Sequence, residues 1–327
     1  MPRSLLEKLI NTVNDGQSFW QAVGKLACKK KQPSNNITLE SWYSHFKQLL
    51  EKNVNTDIEE EEEQEEYFNE ELDQPITKAE IIQAIKRLKL RKSAGPDGLI
   101  GEFFKYSSDI IVNFLFKLFN KLFDAGIYPE EWSESIILPL YKKGDVNNVN
   151  NYRGISLSDI SGKIYGSIVN GRLHKWVELH DLTGEHQAGF KRDHSTVDHI
   201  FTLLATVQKQ LITDKKLYVA FIDFEKAFDS ISRNLIWPIL RKNGIRGKML
   251  KCVRSMYNVV KAKVRSGAKL SDLGIHCTKG VKQGDVCSPI LFSLFVNELA
   301  LDIIDPGTDS INWKLDFLPI ICEYTAA

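Results

Sequence analysis

The sequence predicts a chain of mixed helix and strand, α/β or α+β, and three observations carry that prediction. Helix-period apolar patterns with capping signals recur along the chain, as at Thr77–Glu80. Between them lie short strand-like runs such as SIILPLY, YVAFI and the hairpin-like pair VVKAKVR and GIHCTKG. The two kinds of element alternate irregularly, with no internal repeat.

From the N-terminus, residues 1–52 read as a polar helical connector, in which LESWYSHFKQLLEK spaces Leu39, Trp42, Tyr43, Phe46, Leu49 and Leu50 as a helix face. Residues 53–74 read as a disordered linker: eleven carboxylates fall between 53 and 77 with no Lys or Arg, and like charges with few apolar residues do not collapse. A further region spans 75–327. Its first helix starts at the capping box of Thr77 and Glu80, before Ile81, Ile82, Ile85 and Leu88. It leads through KRLKLRK to a tight turn at Pro96, Asp97 and Gly98. Residues 108–124 are apolar nearly all round and predict a buried helix, with Gly126 at its C-cap. SIILPLYKKGD and NYRGISLS read as two extended pieces. DISGKIYGSIVNGRLHKWVEL reads as a helix, HQAGFKRDHS as a loop, and 195–212 as another helix. A strand follows over Tyr218–Ile222, then a helix from Ser232 to near Gly244, in which Pro238 predicts a kink or a late start. VKQGDVCSP is a loop, and PILFSLFVNELALDII a closing helix.

Bulk properties narrow the function classes. Mean hydropathy is −0.24, and no run approaches the roughly 20 apolar residues of a membrane span. The first residues carry no long apolar segment, so neither secretion nor a membrane is expected. The five cysteines, Cys28, Cys252, Cys277, Cys287 and Cys322, are dispersed. Such a set speaks against a disulfide framework or a zinc site and for an intracellular location, cytoplasm or nucleus. Net charge is +1, but outside the eleven carboxylates 43 basic residues face 31 acidic ones, a net of +12. That balance suits a polyanionic partner, and equally an ordinary solvated surface.

The stretch YVAFIDFEKAFDS ends an apolar strand on Asp223, with Asp229 six residues on. Taken alone, a surface-exposed strand end accounts for Asp223, and an N-cap of the next helix for Asp229. The surrounding residues say more. F-I-D-F-E-K-A-F-D resembles the first palm motif of reverse transcriptases in the form carried by LINE-type (non-LTR) retrotransposons. G-V-K-Q-G-D-V-C-S-P-I-L-F (280–292) resembles their glutamine–glycine motif. K-S-A-G-P-D-G with Glu102, L-P-L-Y-K-K-G-D with N-Y-R-G-I-S-L-S, K-I-Y-G-S-I-V-N-G-R-L, and H-Q-A-G-F-K with S-T-V-D-H-I match further segments in the same order. Residues 1–52 resemble, more loosely, the connector ahead of the polymerase.

The resemblance implies an α+β fold of fingers and palm, a small antiparallel sheet packed on helices behind a helical arm. It implies RNA-directed DNA polymerisation by two divalent ions, Mg2+ or Mn2+, with Asp223 as catalytic metal ligand and the Phe224 carbonyl beside it. Phe228 matches an aromatic that crowds a 2′-hydroxyl, although a core position also accounts for it. Lys142, Lys143 and Arg153 would meet the triphosphate, and Gln283 and Gly284 would line the nucleotide and template floor. The implied partners are an RNA template, an RNA–DNA or DNA primer duplex, and deoxynucleotide triphosphates.

Two departures stand out. The family's aromatic-x-Asp-Asp turn is missing, because no Asp-Asp occurs anywhere; Asp302, Asp305, Asp309 and Asp316 are isolated. A chain truncated before that motif is expected to have an incomplete palm, no thumb, weak metal binding and little polymerase activity. A non-catalytic RNA or RNA–DNA binding remnant is the alternative. Gly154 replaces the usual proline after Arg153, which predicts a looser finger loop.

Overall fold

The structure, a computed structural model, describes residues 34–51, 67–107, 109–184, 187–191, 194–213, 217, 219, 221, 224 and 226–304, with side chains to 298. Two compact units emerge. The described residues of the smaller are 34–37 and 140–153; those of the larger fall within 38–139 and 154–304.

Helix α1 (Leu39–Leu50) starts at Thr38, whose side chain accepts from the Ser41 N–H at 3.1 Å, and it buries Trp42 and Phe46. The acidic stretch lies outside the described residues up to 66. Residues 67–74, read from sequence as the end of a linker, pack instead. Leu72 and Asp73 are buried, and the Asp73 carboxylate accepts from the N–H groups of Asn69 (2.9 Å) and Met249 (3.0 Å). Helix α2 (Lys78–Arg87) has the expected capping box. Its Glu80 also receives Arg172, at 2.7 Å from Nε and 3.0 Å from Nη2, while Arg172 reaches the carbonyls of Leu72, Gln74 and Pro75. This two-pronged pairing ties the segment ahead of α2 to the helix that carries Arg172.

Helices α3 (Gly101–Lys105) and α4 (Asp109–Ala125) follow. Helix α4 is not buried all round: Leu115, Phe119 and Phe123 face the core, whereas Ile110 is 75% and Phe114 61% exposed. Apolar content sets how much a helix can bury, but its neighbours decide how much it does. The short α5 (Glu130–Ser133) leads into strand β1 (Glu134–Tyr141), and β2 (Tyr152–Ser158) returns beside it. Helix α6 (Ile160–Leu179) then runs through the core, burying Ile164, Tyr165 and Leu173, and α7 (Thr196–Ile212) starts at Ser195.

The strand expected over Tyr218–Ile222 lies largely outside the described residues, which include only Val219 and Phe221 of that stretch. Asp229 does not cap the next helix. It lies inside the short α8 (Ala227–Ser230), and Ser232 takes the N-cap position of α9 (Arg233–Lys242), which includes Pro238 rather than starting after it.

After α10 (Gly247–Asn258) come β3 (Lys261–Ser266), β4 (Lys269–Leu270) and β5 (Ile275–His276), then α11 (Ser288–Ile304). The sheet order is β2-β1-β3-β4, with β5 on β3. β3 pairs antiparallel with β4 and β5 but parallel with β1, Glu134 opposite Lys261 and Ile137 opposite Val264. The fold is α+β, and its sheet is mixed rather than purely antiparallel. Parallel neighbours need a long crossover, and several helices lie between β1 and β3. The main core gathers α2, α4, α6, α9, α10 and α11 around Phe119, Ile164, Tyr165, Leu240, Met249 and Cys252.

Helix α1 packs on β3 and β5, and Gly154 explains how closely it approaches. A Cβ there would lie 2.6 Å from Phe46 Cε1 and 3.0 Å from Ile137 Cγ2. The absent side chain does not loosen this point of the chain; the ring of Phe46, 1% exposed, fills the space. Gly154→Ala is therefore expected to cost about 1–3 kcal/mol from overpacking, read as a lower urea midpoint. Phe46→Leu in the same chain should recover part of that loss.

Candidate nucleotide and template site

The glutamine–glycine loop is held by backbone hydrogen bonds to two other segments of the larger unit. Gly280 N–H donates to the Ile231 carbonyl and Val281 N–H to the Phe228 carbonyl, both at 2.8 Å. On the other side, Ser156 N–H of β2 donates to the Gln283 carbonyl at 3.0 Å. Gly280 has φ +73°, and a Cβ would fall 2.7 Å from the Phe228 carbonyl oxygen and 2.8 Å from Asp229 Cα. Only glycine combines that backbone with that approach. Gly284 turns at φ +102° beside β2.

Phe228, Gln283 and Gly284 are thus brought together. The Phe228 ring is half-buried, stacked on Phe292 (centroids 4.8 Å apart, 16° between planes) and edge-on to Phe190 at 6.0 Å. Three of the matched segments therefore meet in one aromatic cluster, which fixes the ring's orientation. Phe224 is half-buried, and Asp223 lies outside the described residues. Lys142 and Lys143 are exposed and Arg153 is half-buried, all at the tip of the β1–β2 hairpin in the smaller unit.

Of the charged residues under the loop, Arg233 and Lys282 were not singled out by sequence reading, and Asp229 was read only as a helix cap. Arg233 donates from Nε to the Gly280 carbonyl (2.8 Å), from Nη1 to Tyr257 (3.0 Å) and from Nη2 to Lys279 (3.3 Å). Lys282 sends its Nζ to the Ser133 carbonyl at 3.1 Å. Burial lowers the Lys282 pKa, and nearby Asp285 opposes the shift. Burial pushes Asp229 up to about 6 against the pull of Lys226 and Lys279. At the mouth of α6, Asp159 is likewise pushed up to about 6, by burial and by the carboxylates of Asp97 and Glu134; its Oδ1 accepts from the Asp97 N–H at 3.1 Å.

Asp229, Arg233, Lys279, Lys282 and Gln283 line a cavity of about 30 Å³ walled by Phe46, Ile137 and Val260. That is room for water, not for a nucleotide. No spacing rule announces Arg233, Lys279 or Lys282, because their significance comes from burial. Among the described residues, no three His, Cys, Asp or Glu side chains are gathered as metal ligands. Asp285 is engaged instead by Tyr257 Oη and the Cys287 N–H, both at 3.4 Å.

Residues 141–308 match the family described as reverse transcriptase (RNA-dependent DNA polymerase). The chain is 27% identical over 236 residues to the probable RNA-directed DNA polymerase from transposon BS of Drosophila melanogaster, covering 69% of the chain and 25% of that protein. It is 27% identical over 237 residues to the RNA-directed DNA polymerase from mobile element jockey of the same fly, covering 68% and 24%. A retrovirus-related Pol polyprotein from type-1 retrotransposable element R1 of Bradysia coprophila is 28% identical over 235 residues, covering 70% and 22%. The chain belongs to the reverse transcriptase family and carries the reverse transcriptase domain of LINE-type, non-LTR retrotransposon polymerases. It matches about a quarter of the length of these relatives.

Proposed function

We propose that this chain forms the fingers and part of the palm of a retrotransposon RNA-directed DNA polymerase, and that it grips an RNA template, its primer duplex and an incoming deoxynucleotide. The docking of the glutamine–glycine loop onto both the Phe228 turn and β2 carries this reading, because it assembles three of the family's segments in one unit. In it, the backbone at Gln283 and Gly284 supports the template and nucleotide, and Phe228 rests against the sugar. Lys142, Lys143 and Arg153 pair with the triphosphate. Family membership implies divalent-ion catalysis, with Asp223 as the metal-binding carboxylate of the first motif and Mg2+ or Mn2+ as the ion. The 327 residues hold no Asp-Asp to complement it, so these residues alone are read as binding without extending. Three buried free thiols, Cys252, Cys277 and Cys287, support a reducing, intracellular setting.

The test is primer extension on an RNA template with Mg2+ or Mn2+, using Asp223→Ala as control and measuring binding on the same samples. The expected result is duplex binding that weakens steeply with salt, as counterion release requires, without extension. Extension abolished by Asp223→Ala would show that another carboxylate completes the site. Failure to bind any template would overturn the reading as a whole.

A further inference from the structure

The tip of the β1–β2 hairpin is braced from inside and from outside. Inside, Lys142 N–H donates to the Asn151 carbonyl (2.9 Å), Asn151 Nδ2 to the Asp145 carbonyl (2.9 Å) and Tyr141 Oη to the Gly144 carbonyl (2.6 Å). From outside come residues more than 100 positions earlier. Asn35 Nδ2 donates to Tyr152 Oη at 3.1 Å, and Tyr152 Oη donates onward to the Val146 carbonyl at 2.7 Å. The Asn35 amide is itself held, because its Oδ1 accepts from the Ile37 N–H at 3.2 Å. Asn36 N–H donates to Asn147 Oδ1 at 3.0 Å.

This relay acts on the residues beside the basic side chains. Tyr152 is 7% exposed, although the residues around it at the tip are polar and mostly open to solvent. Its ring meets the Tyr141 ring edge-on, at 5.3 Å and 61°. Lys142 directly follows Tyr141, and Arg153 directly follows Tyr152. The two rings therefore set the backbone from which both cations project. A tip of asparagine, glycine and aspartate has many backbone arrangements open to it, and each contact that selects one offsets ordering entropy that a ligand would otherwise meet.

We propose that Asn35 and Asn36 are positioning residues for the fingertip, holding Lys142, Lys143 and Arg153 in one arrangement before the triphosphate arrives. The proposal rests on the reading of that trio as triphosphate contacts. It makes the segment ahead of α1 a working part of the triphosphate grip.

The test measures binding of a fluorescent (mant-labelled) dATP, with Mg2+, to the full chain on an RNA–DNA primer–template whose primer ends in a dideoxynucleotide. Asn35→Ala and Tyr152→Phe each remove the relay while leaving the two rings in place. Each is expected to weaken dATP binding about three- to tenfold, the worth of one hydrogen bond. Primer–template affinity should stay within error and melting temperature should fall by no more than the few degrees that one lost hydrogen bond accounts for, a split that a general loss of structure would not produce. In an Arg153→Ala background the Asn35→Ala loss should shrink towards none, because the positioned group is gone. If Arg153→Ala weakens dATP binding and neither relay variant does, positioning is overturned and the triphosphate reading stands. If Lys142→Ala and Arg153→Ala bind dATP as the parent does, or the parent does not bind it, the triphosphate reading fails and positioning fails with it.

Discussion

Arg233→Ala is expected to cost about 3–5 kcal/mol, a large share of the 5–15 kcal/mol typical of a folded domain. The guanidinium is buried, lies 5.4 Å from the Tyr257 ring centroid, and divides its donors among the carbonyls of Gly280, Tyr257 and Lys279. Charge-assisted bonds contribute about 1.5–3 kcal/mol each, although bonds from one side chain do not add independently. Truncation also leaves carbonyls facing a space that a methyl group cannot fill. Arg233→Lys should recover less than half of the loss, because one ammonium cannot reach three carbonyls set around a planar fork. Urea unfolding of the three proteins gives the order parent, lysine, alanine. The consequence for the site is direct: Gly280 opens the glutamine–glycine loop, so template binding by either variant should fall even where the protein remains folded. A loss below 1 kcal/mol for Arg233→Ala would mean that the loop is held by its backbone bonds alone.

Signals carried by adjacent residues were legible in the sequence. The Thr77–Glu80 capping box starts α2 where expected, and the closing helix and the β3–β5 pair lie where their patterns place them. The helix signals depend on interactions within a few residues and the β3–β5 pair on partners within one short segment, so the string contains its own evidence. What failed depends on distant partners. Helix α4 looks buried by composition, yet Ile110 and Phe114 have no core beside them. Asp73 looks like the end of an acidic linker, yet it meets the first turn of α10 through Met249 N–H. Gly154 looks like a loosened loop until Phe46 is seen to fill the space. The parallel β1–β3 pairing joins segments more than a hundred residues apart.

The same division runs through the site. Phe228, Gln283 and Gly284 could be named because they sit at fixed offsets within recognisable segments. Arg233 and Lys282 could not, and Asp229 was read only as a helix cap, since a charged residue in a sequence looks solvated until its surroundings are known. The fingertip is an intermediate case. Lys142, Lys143 and Arg153 could be named from their segments, but nothing in the spacing of Asn35 and Asn36 says that they reach it.

The buried carboxylates make stability depend on pH in a direction opposite to that of a salt-bridged acid. Asp229 and Asp159 are both pushed up to about 6 from an ordinary 3.8. A raised folded-state pKa means that the fold favours the protonated form. The contribution is therefore fully present below about pH 4 and is lost as pH rises through 6. For Asp229 a shift of that size corresponds to about 2–3 kcal/mol. Glu80 pulls the other way: burial would raise its pKa, but its hydrogen bonds to Arg172 and Thr77 hold it below the usual carboxylate range. Its contribution is accordingly lost as pH falls. Comparing Asp229→Asn with the parent isolates the first effect from the second. The amide keeps the shape and stays neutral, so the variant should match the parent near pH 4 and exceed it by about 2–3 kcal/mol at pH 8, measured by urea unfolding. If the two curves instead run parallel across that range, Asp229 is ionised at no cost, and Lys226 and Lys279 must compensate its burial in full.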